Sequence, residues 1–398
     1  MARHFRVFTA LVLIGVSGAG MLSAQTSNDA PVEPPDADYW VYVGAESADF
    51  IHRVRFGPDG GEVEQTTSIG RVPTEVEGPH GLVVAPDGEH LYMTTGHGVP
   101  DGHLWKFHVG PDTTVAEPIL LGRFPATIDI TPDGLYVFGV NFNLHGAMAP
   151  STMSVVYTPS MVEVTQIELC TMPHGSRMHP RGTYVYTVCM MDDQLVEVNT
   201  STFTVSRRFS VAAGEEGSLP DAPEKHHAHP PASPHEHEPD VTPEELAAHH
   251  ASCSPTWAQP EPAGRRLYVA CNAADHVLEI DVENWTLLRT LPSGRGPYNL
   301  AVSPDGRLLV VTLKQGDAVD VFDLESGESR ARIPTSTRVV HGVVVSPDSR
   351  YAFVSVEGIG SEPGKVDVFD LQALQRVADI EVGQQASGID FLRMQPRH

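Results

Sequence analysis

At 398 residues, with 41% hydrophobic and 19% charged side chains, the chain is long enough to bury a large core. Its formal charge of −25 excludes nucleic acid as a partner class, because phosphate binding needs clustered Lys and Arg. The 35 Gly and 33 Pro suit a fold made of many short elements and tight turns.

The chain opens on MARHFR, with Arg3 and Arg6, then an apolar VFTALVLIGVSGAGML, then the small residues of Leu22-Ser23-Ala24. This order of a basic start, a short apolar core and a small-residue cleavage site predicts a secretory signal over 1–24. The mature protein is therefore expected to be secreted or periplasmic, without stable membrane insertion, since no other segment is long and apolar enough to span a bilayer. Residues 25–38, QTSNDAPVEPPDAD, are acidic and Pro-rich and read as a flexible linker.

From Tyr39 the sequence repeats. YWVYVGA has no partner strand before it; PHGLVVAPDGEHLYMTT starts at Pro79, PATIDITPDGLYVFGVN at Pro125 and PHGSRMHPRGTYVYTVC at Pro173. SCSPTWAQPEPAGRRLYVACNAADHVLEIDVENWTLL follows from Ser252, then GPYNLAVSPDGRLLVV from Gly296 and VVHGVVVSPDSRYAFVSV from Val339. Each unit reads as four short alternating strands with a period of roughly 40–50 residues, which is what a propeller blade requires. The Pro-Asp-Gly intact at Pro86-Asp87-Gly88, Pro132-Asp133-Gly134 and Pro304-Asp305-Gly306 supplies the reversal from the first strand to the second. The C-terminal QQASGIDFLR is an innermost strand with nothing after it, complementary to the N-terminal half-unit. The expectation is an all-β, seven-bladed β-propeller over 39–392, closed by pairing of the N- and C-terminal strands.

The second strand of the unit begun at Ser252, Tyr268-Val269-Ala270-Cys271-Asn272, resembles the Tyr-Val-Thr-Asn that names the YVTN-type β-propeller repeat family, with one extra residue. The resemblance covers nearly all of the chain from Tyr39 to Leu392. It implies the fold and leaves function open, because such propellers serve as scaffolds, binding proteins and enzymes.

One connection is far longer than the rest. Between Ser210 and Ser254 an insertion over 213–250 carries His226, His227, His229, His235, His237, His249 and His250, with TPEELAAHH predicted as a short helix capped by Thr242. Imidazoles at this density, with Glu236, Glu238 or Cys253, make a secondary candidate for transition-metal capture; a solvated loop is the alternative. The four cysteines, Cys170, Cys189, Cys253 and Cys271, allow two disulfides in an exported chain by any of three pairings. No CxxCH is present, which excludes covalent c-type haem.

Innermost strands run beside the axis of a propeller, so the residue opening each faces the channel mouth. Counting back from the turn prolines gives His80, Ala126, His174, Ser254, Tyr298 and His341, with Ser387 in the composite blade. Twenty histidines in 398 residues would place fewer than one there by chance, and three are present. A second tier holds Glu46, Gly96, Asn141, Met190, Asn272, Lys314 and Glu357, with His97 and His145 just past it and His179 less directly placed.

Neutral imidazoles on rigid strand ends are what a copper or zinc site needs, so His80, His174 and His341, completed by His97 or His145, form the leading candidate metal site. The arrangement is similar in kind to the histidine-lined propeller of nitrous oxide reductases. It has fewer channel histidines, and no cupredoxin domain follows, so nitrous oxide chemistry is not implied. A metal-dependent oxidoreductase is one reading. The other is a non-enzymatic propeller whose top face binds a protein, an envelope polymer or a small ligand. A lactonase would want acidic ligands in the channel, for which Glu46 and Glu357 are the available pair.

Overall fold

The computed structural model describes residues 33–98, 102–144, 146–217 and 251–397. The signal segment, His145 and the insertion histidines His226, His227, His229, His235, His237, His249 and His250, with the helix expected at Thr242, lie outside the described residues. Among those described, the regular structure is all strand apart from one short 3-10 turn at Glu46–Ala48.

The first sheet contains β1 (Ala37–Ala45), β2 (Phe50–Gly57) and β3 (Gly60–Ser68). The next two are β4 (Pro79–Val84), β5 (His90–Thr95), β6 (His103–His108) and β7 (Ile119–Leu120), then β8 (Pro125–Ile130), β9 (Tyr136–Asn141), β10 (Pro150–Tyr157) and β11 (Val162–Thr171). β12 (Pro173–Met178), β13 (Tyr184–Cys189), β14 (Gln194–Asn199) and β15 (Thr204–Ser210) follow, and β16 (Glu215–Glu216) joins them laterally to the outer strand of the next sheet. That sheet is β17 (Pro255–Pro260), β18 (Arg266–Cys271), β19 (His276–Asp281) and β20 (Thr286–Pro292). Two more are β21 (Pro297–Val302), β22 (Leu308–Leu313), β23 (Ala318–Asp323), β24 (Ser329–Pro334) and β25 (Val340–Val345), β26 (Tyr351–Val356), β27 (Lys365–Asp370), β28 (Gln375–Glu381). The last strand, β29 (Ala386–Pro396), pairs antiparallel with β1, Val43 opposite Ile389 and Val41 opposite Phe391. Pairing reaches Ala37 and Pro396, a few residues beyond 39–392 at each end, because Arg397 continues it through Asp38.

The Ser/Thr-Pro-Asp turns explain their own residue choice. The hydroxyls of Thr131, Ser303 and Ser346 donate to Asp133, Asp305 and Asp348, and accept from the backbone N–H of Tyr136, Leu308 and Tyr351. Gly134 and Gly306 sit at φ +73, a left-handed conformation that glycine adopts without a Cβ penalty.

A second recurring device ties four of the sheets to the next. Asp49, Asp193, Asp275 and Asp317 adopt left-handed φ of 47–53° and turn their carboxylates onto the N–H groups of Gly78, Ser254, Gly296 and Val339, just before the next innermost strand. Between sheets the filling is apolar: Tyr39, Val41 and Val43 of β1 pack with Tyr351, Phe353, Val366 and Val368 of the last sheet. The innermost strands lie side by side, β4 against β8, β8 against β12, β12 against β17, β17 against β21, β21 against β25, β25 against β29 and β29 against β4.

The two disulfides are similarly but not identically placed. Cys170, near the end of β11, bonds Cys189 of β13 in the next sheet, and Cys253, two residues before β17, bonds Cys271 of β18. Cys253 is therefore not a metal ligand: its sulfur is held in a disulfide and offers no thiolate. No described helix is long and apolar enough to cross a membrane.

Candidate functional site

Every innermost strand from β4 to β25 shifts register near its start, as between Pro79 and Leu82 in β4, Pro173 and Ser176 in β12, and Val340 and Val343 in β25. Such bulges re-aim the second residue of the strand. That residue is His80, Ala126, His174, Thr256, Tyr298, His341 and Ser387 around the axis. Thr256 replaces the expected Ser254. The pairing of Pro255 with Cys271 matches that of Pro79 with Thr95, so the turn proline of this unit is Pro262 and Pro260 belongs to the strand.

His80, His174 and His341 are all buried. Nδ1 of His80 donates to the carbonyl of Ala126 at 2.7 Å, and Nδ1 of His174 to that of Thr256 at 2.9 Å, each the equivalent residue of the next sheet. With the proton on Nδ1, Nε2 of both rings keeps its lone pair. His341 faces Ser387 in the same way, and that backbone group favours its protonation, yet its Nδ1 makes no hydrogen bond of normal geometry. Burial pushes the His174 pKa down to about 3 and holds His341 well below its ordinary value.

The imidazoles belong to a closed circle of six rings. Centroids are 5.3 Å apart for His80 and Phe124, 6.0 Å for Phe124 and Phe142, and 4.8 Å for Phe142 and His174. They are 5.5 Å apart for His174 and Tyr298, 5.0 Å for Tyr298 and His341, and 5.3 Å for His341 and His80. Gly96 is glycine because a Cβ there would meet the Phe124 ring at 2.9 Å.

Within the circle the Tyr298 hydroxyl lies 3.2 Å from Nε2 of His174 and 3.4 Å from Nε2 of His341. Lys314 stands over the Tyr298 ring, its Nζ 4.3 Å from the centroid, and pairs with Glu357 at 2.8 Å. Burial raises the Tyr298 pKa, and Lys314 opposes that rise. At the rim His97 Nε2 lies 2.8 Å from one Glu46 oxygen, while His80 Nε2 is 4.0 Å from the other. Burial pushes Glu46 up, but His80, His97 and Lys314 outweigh it and keep the carboxyl below its ordinary value.

The structure thus brings His80, His97, His174 and His341 to one mouth. It does not draw His80, His174 and His341 into one preformed triad. Among the described residues, the only three His, Cys, Asp or Glu side chains with ligand atoms within 4.8 Å of one another are Cys170, Cys189 and Asp192, and those sulfurs are in a disulfide. Asn141 bonds Thr152 and Ser154, Asn272 bonds the Pro297 carbonyl and His179 lies near the Gly264 carbonyl, so none of these serves the mouth. Phe142, not Asn141, is the equivalent of Gly96, Met190, Asn272, Lys314 and Glu357, one residue past the second strand, and Phe124 precedes its innermost strand as Gly78 and Gly296 do, so a count that lands on Asn141 misses both rings.

Below the circle an axial cavity of about 220 Å³ continues past His80 and His341 to Asp129, Arg177, Trp257, Asn299 and Asp390. The charged residues there are legible in the sequence by reading the fifth position of each innermost strand, where the second alone misses them.

Residues 303–393 match the family described as the cytochrome D1 heme domain. A functionally unknown protein from Desulfotomaculum acetoxidans superposes with a TM-score of 0.65 at 15% identity, covering 89% of this chain and 98% of its own. A putative 6-phosphogluconolactonase from Bacteroides uniformis superposes with a TM-score of 0.63 at 16% identity, covering 89% and 99%. No curated protein matches the chain. The fold is a β-propeller. Likeness at these identities speaks to fold alone.

The family description implies a haem, and the channel of this propeller does not accommodate one. Its cavity of about 220 Å³ falls below the roughly 300–1,000 Å³ of small-molecule sites, and the circle of rings narrows its mouth.

Proposed function

We propose that this chain is an exported β-propeller of the YVTN type, seven-bladed and closed by β1 and β29, that holds one copper or zinc ion at the mouth of its axial channel. The pairing of the chain ends and the unbroken succession of neighbouring innermost strands support the ring. The two disulfides support export.

The observation that carries the metal reading is the Tyr298 hydroxyl between two imidazole nitrogens. With bonds of about 2.0–2.1 Å, ligand atoms on a tetrahedron stand about 3.3–3.4 Å apart. The Tyr298 oxygen lies at 3.2 and 3.4 Å from Nε2 of His174 and His341. These three groups are the inner ligands of this reading, with the fourth position open to water or a small molecule. Metal at Nε2 would keep the His341 proton on Nδ1, the buried atom that has no partner in the metal-free arrangement. His80 lies edge-on to His341 and, with Glu46 and His97, forms the polar rim through which a small molecule or a protein partner approaches. Lys314 favours the phenolate of Tyr298, which would orient an oxidisable ligand beside a copper ion.

Metal stoichiometry and affinity test this reading in untagged protein stripped of metal, compared with a variant lacking residues 218–250 and with the His174→Ala/His341→Ala double variant. One ion per chain should survive the loop deletion, and the double variant should bind it about 100-fold more weakly or worse. If the double variant keeps tight binding and the deletion loses it, the mouth is not a metal site and the propeller is a non-enzymatic binding scaffold.

A further inference from the structure

The far end of the axial cavity collects charge that the mouth does not use. Asp129, Arg177 and Asp390 are each the fifth residue of an innermost strand, β8, β12 and β29, where the others carry Val83, Gln259, Ala301 and Val344. All three line the cavity with Trp257 and Asn299.

Each aspartate is fixed by backbone and keeps capacity to spare. Asp129 accepts from the N–H of Ile130 and Met178, and Asp390 from those of Val84 and Phe391, one bond to each oxygen. A carboxylate oxygen accepts a second bond readily. Burial pushes Asp390 up to about 6 and raises Asp129, with Arg177 opposing both shifts only partly. Arg177 donates through Nη1 to the Ser176 carbonyl and lies 4.9 Å from the centroid of Trp257; among the described residues no ion pair joins it to either aspartate. Four of its five N–H donors are left for another partner. Trp257 is 5% exposed, and its Nε1–H, buried, has no acceptor.

The cavity therefore presents donors without acceptors in Arg177 and Trp257, and acceptors with spare capacity in Asp129 and Asp390. An anion alone would meet two carboxylates against one guanidinium. A cation alone would leave Arg177 and Trp257 unanswered. We propose that the cavity binds a small zwitterion, an α-amino acid, with its carboxylate on Arg177 and Trp257 Nε1 and its ammonium between Asp129 and Asp390. Liquid water occupies about 30 Å³ per molecule, so 220 Å³ holds about seven heavy atoms, the size of alanine or serine. Its charged residues stand three strand positions further along the innermost strands than the histidine tier and are none of the metal ligands.

Calorimetric titration of the full chain, metal-free and metal-loaded, with L-alanine, acetate and methylammonium at neutral pH tests the assignment. L-Alanine should bind saturably in both forms, and acetate and methylammonium at least ten-fold more weakly. Arg177→Gln should weaken L-alanine at least ten-fold, and Trp257→Phe, which keeps the ring and removes only the N–H, should weaken it several-fold with the fold intact by near-ultraviolet circular dichroism. Acetate binding as tightly as L-alanine makes this an anion site, methylammonium binding as tightly makes it a cation site, and no saturable binding leaves a hydrated structural network. Each of these overturns the proposal. Should Arg177→Gln fail to fold, Trp257→Phe and the half-ligand comparison still decide.

Discussion

Tyr298 stands 3.2 Å from His174, hydroxyl to Nε2, across the channel mouth, and the direction of that hydrogen bond is set by a third residue. His174 spends its Nδ1 proton on the Thr256 carbonyl, so its Nε2 accepts from Tyr298. His341, with no partner at Nδ1, can carry its proton on Nε2 and donate to the Tyr298 oxygen. The chain of bonds runs His341 to Tyr298 to His174 to Thr256.

Tyr298→Phe removes the middle of that chain and separates its two roles. The metal-free variant should lose about 0.5–1.5 kcal/mol of stability in denaturant titration, the net worth of a buried hydrogen bond. Its affinity for copper or zinc should fall at least ten-fold. An unchanged affinity would remove Tyr298 from the ligand set.

Much of this is legible in the sequence, and the remainder has physical reasons for being hidden. The repeated Pro-Asp-Gly turn fixes the repeat, and the complementary ends YWVYVGA and QQASGIDFLR name the strands that pair. The second residue of each innermost strand finds His80, His174 and His341, but slips by two at Ser254, because two prolines, Pro260 and Pro262, compete for the turn. Disulfide pairing stays open because Cys189 and Cys271 are equivalent positions, and equivalence around a ring separates residues. Their actual partners, Cys170 and Cys253, lie three and two residues before their innermost strands, an offset that the repeat does not fix. Contact across the axis is the information a repeat lacks: nothing in the spacing says that Tyr298 reaches two imidazoles or that His97 meets Glu46.

His52 should make the fold acid-sensitive. It is buried, its Nε2 accepts the Gly383 N–H at 3.0 Å, and burial pushes its pKa down to about 4 from 6.5. A folded value below the unfolded one means that the unfolded chain binds the extra proton. The stability involved is complete above pH 6.5 and is lost as pH falls toward 4, by at most about 3 kcal/mol. His52→Gln should flatten that part of the stability profile when denaturation midpoints are compared between pH 7.5 and 4.5. A variant with the wild-type slope would show that other groups carry it.

The Cys253–Cys271 bridge closes a segment of 18 residues beside the insertion. Chain entropy gives such a loop about 3 kcal/mol of stabilisation. Cys253→Ser/Cys271→Ser should lower stability by about that amount while leaving metal stoichiometry at the mouth unchanged, because the sulfurs are not ligands. Loss of one bound ion with the fold retained would return Cys253 to the candidate set.

The proposed seven-bladed, closed ring stands or falls on β29. Its Ala386 and Ile389 are buried in one cluster with Tyr39, Val41, Val43, Tyr351 and Phe353, so the last strand fills the space between the first and last sheets as well as pairing with β1. Fully burying an isoleucine-sized side chain is worth about 1.5–3 kcal/mol, and β29 also packs Phe391 against that cluster and Leu392 against its neighbour on the other side. Removing it therefore costs several kcal/mol of a total that in most domains is only about 5–15 kcal/mol, and it bares a full strand edge on β1. A chain ending at Glu381 should be largely unfolded or self-associated by size-exclusion chromatography. A synthetic peptide of residues 384–398 added during refolding should restore the monomer with a concentration-dependent midpoint, because the missing blade strand is then supplied in trans. If the truncated chain is instead monomeric, with wild-type thermal stability and no response to the peptide, β1 and β29 do not close the ring and the propeller is an open array.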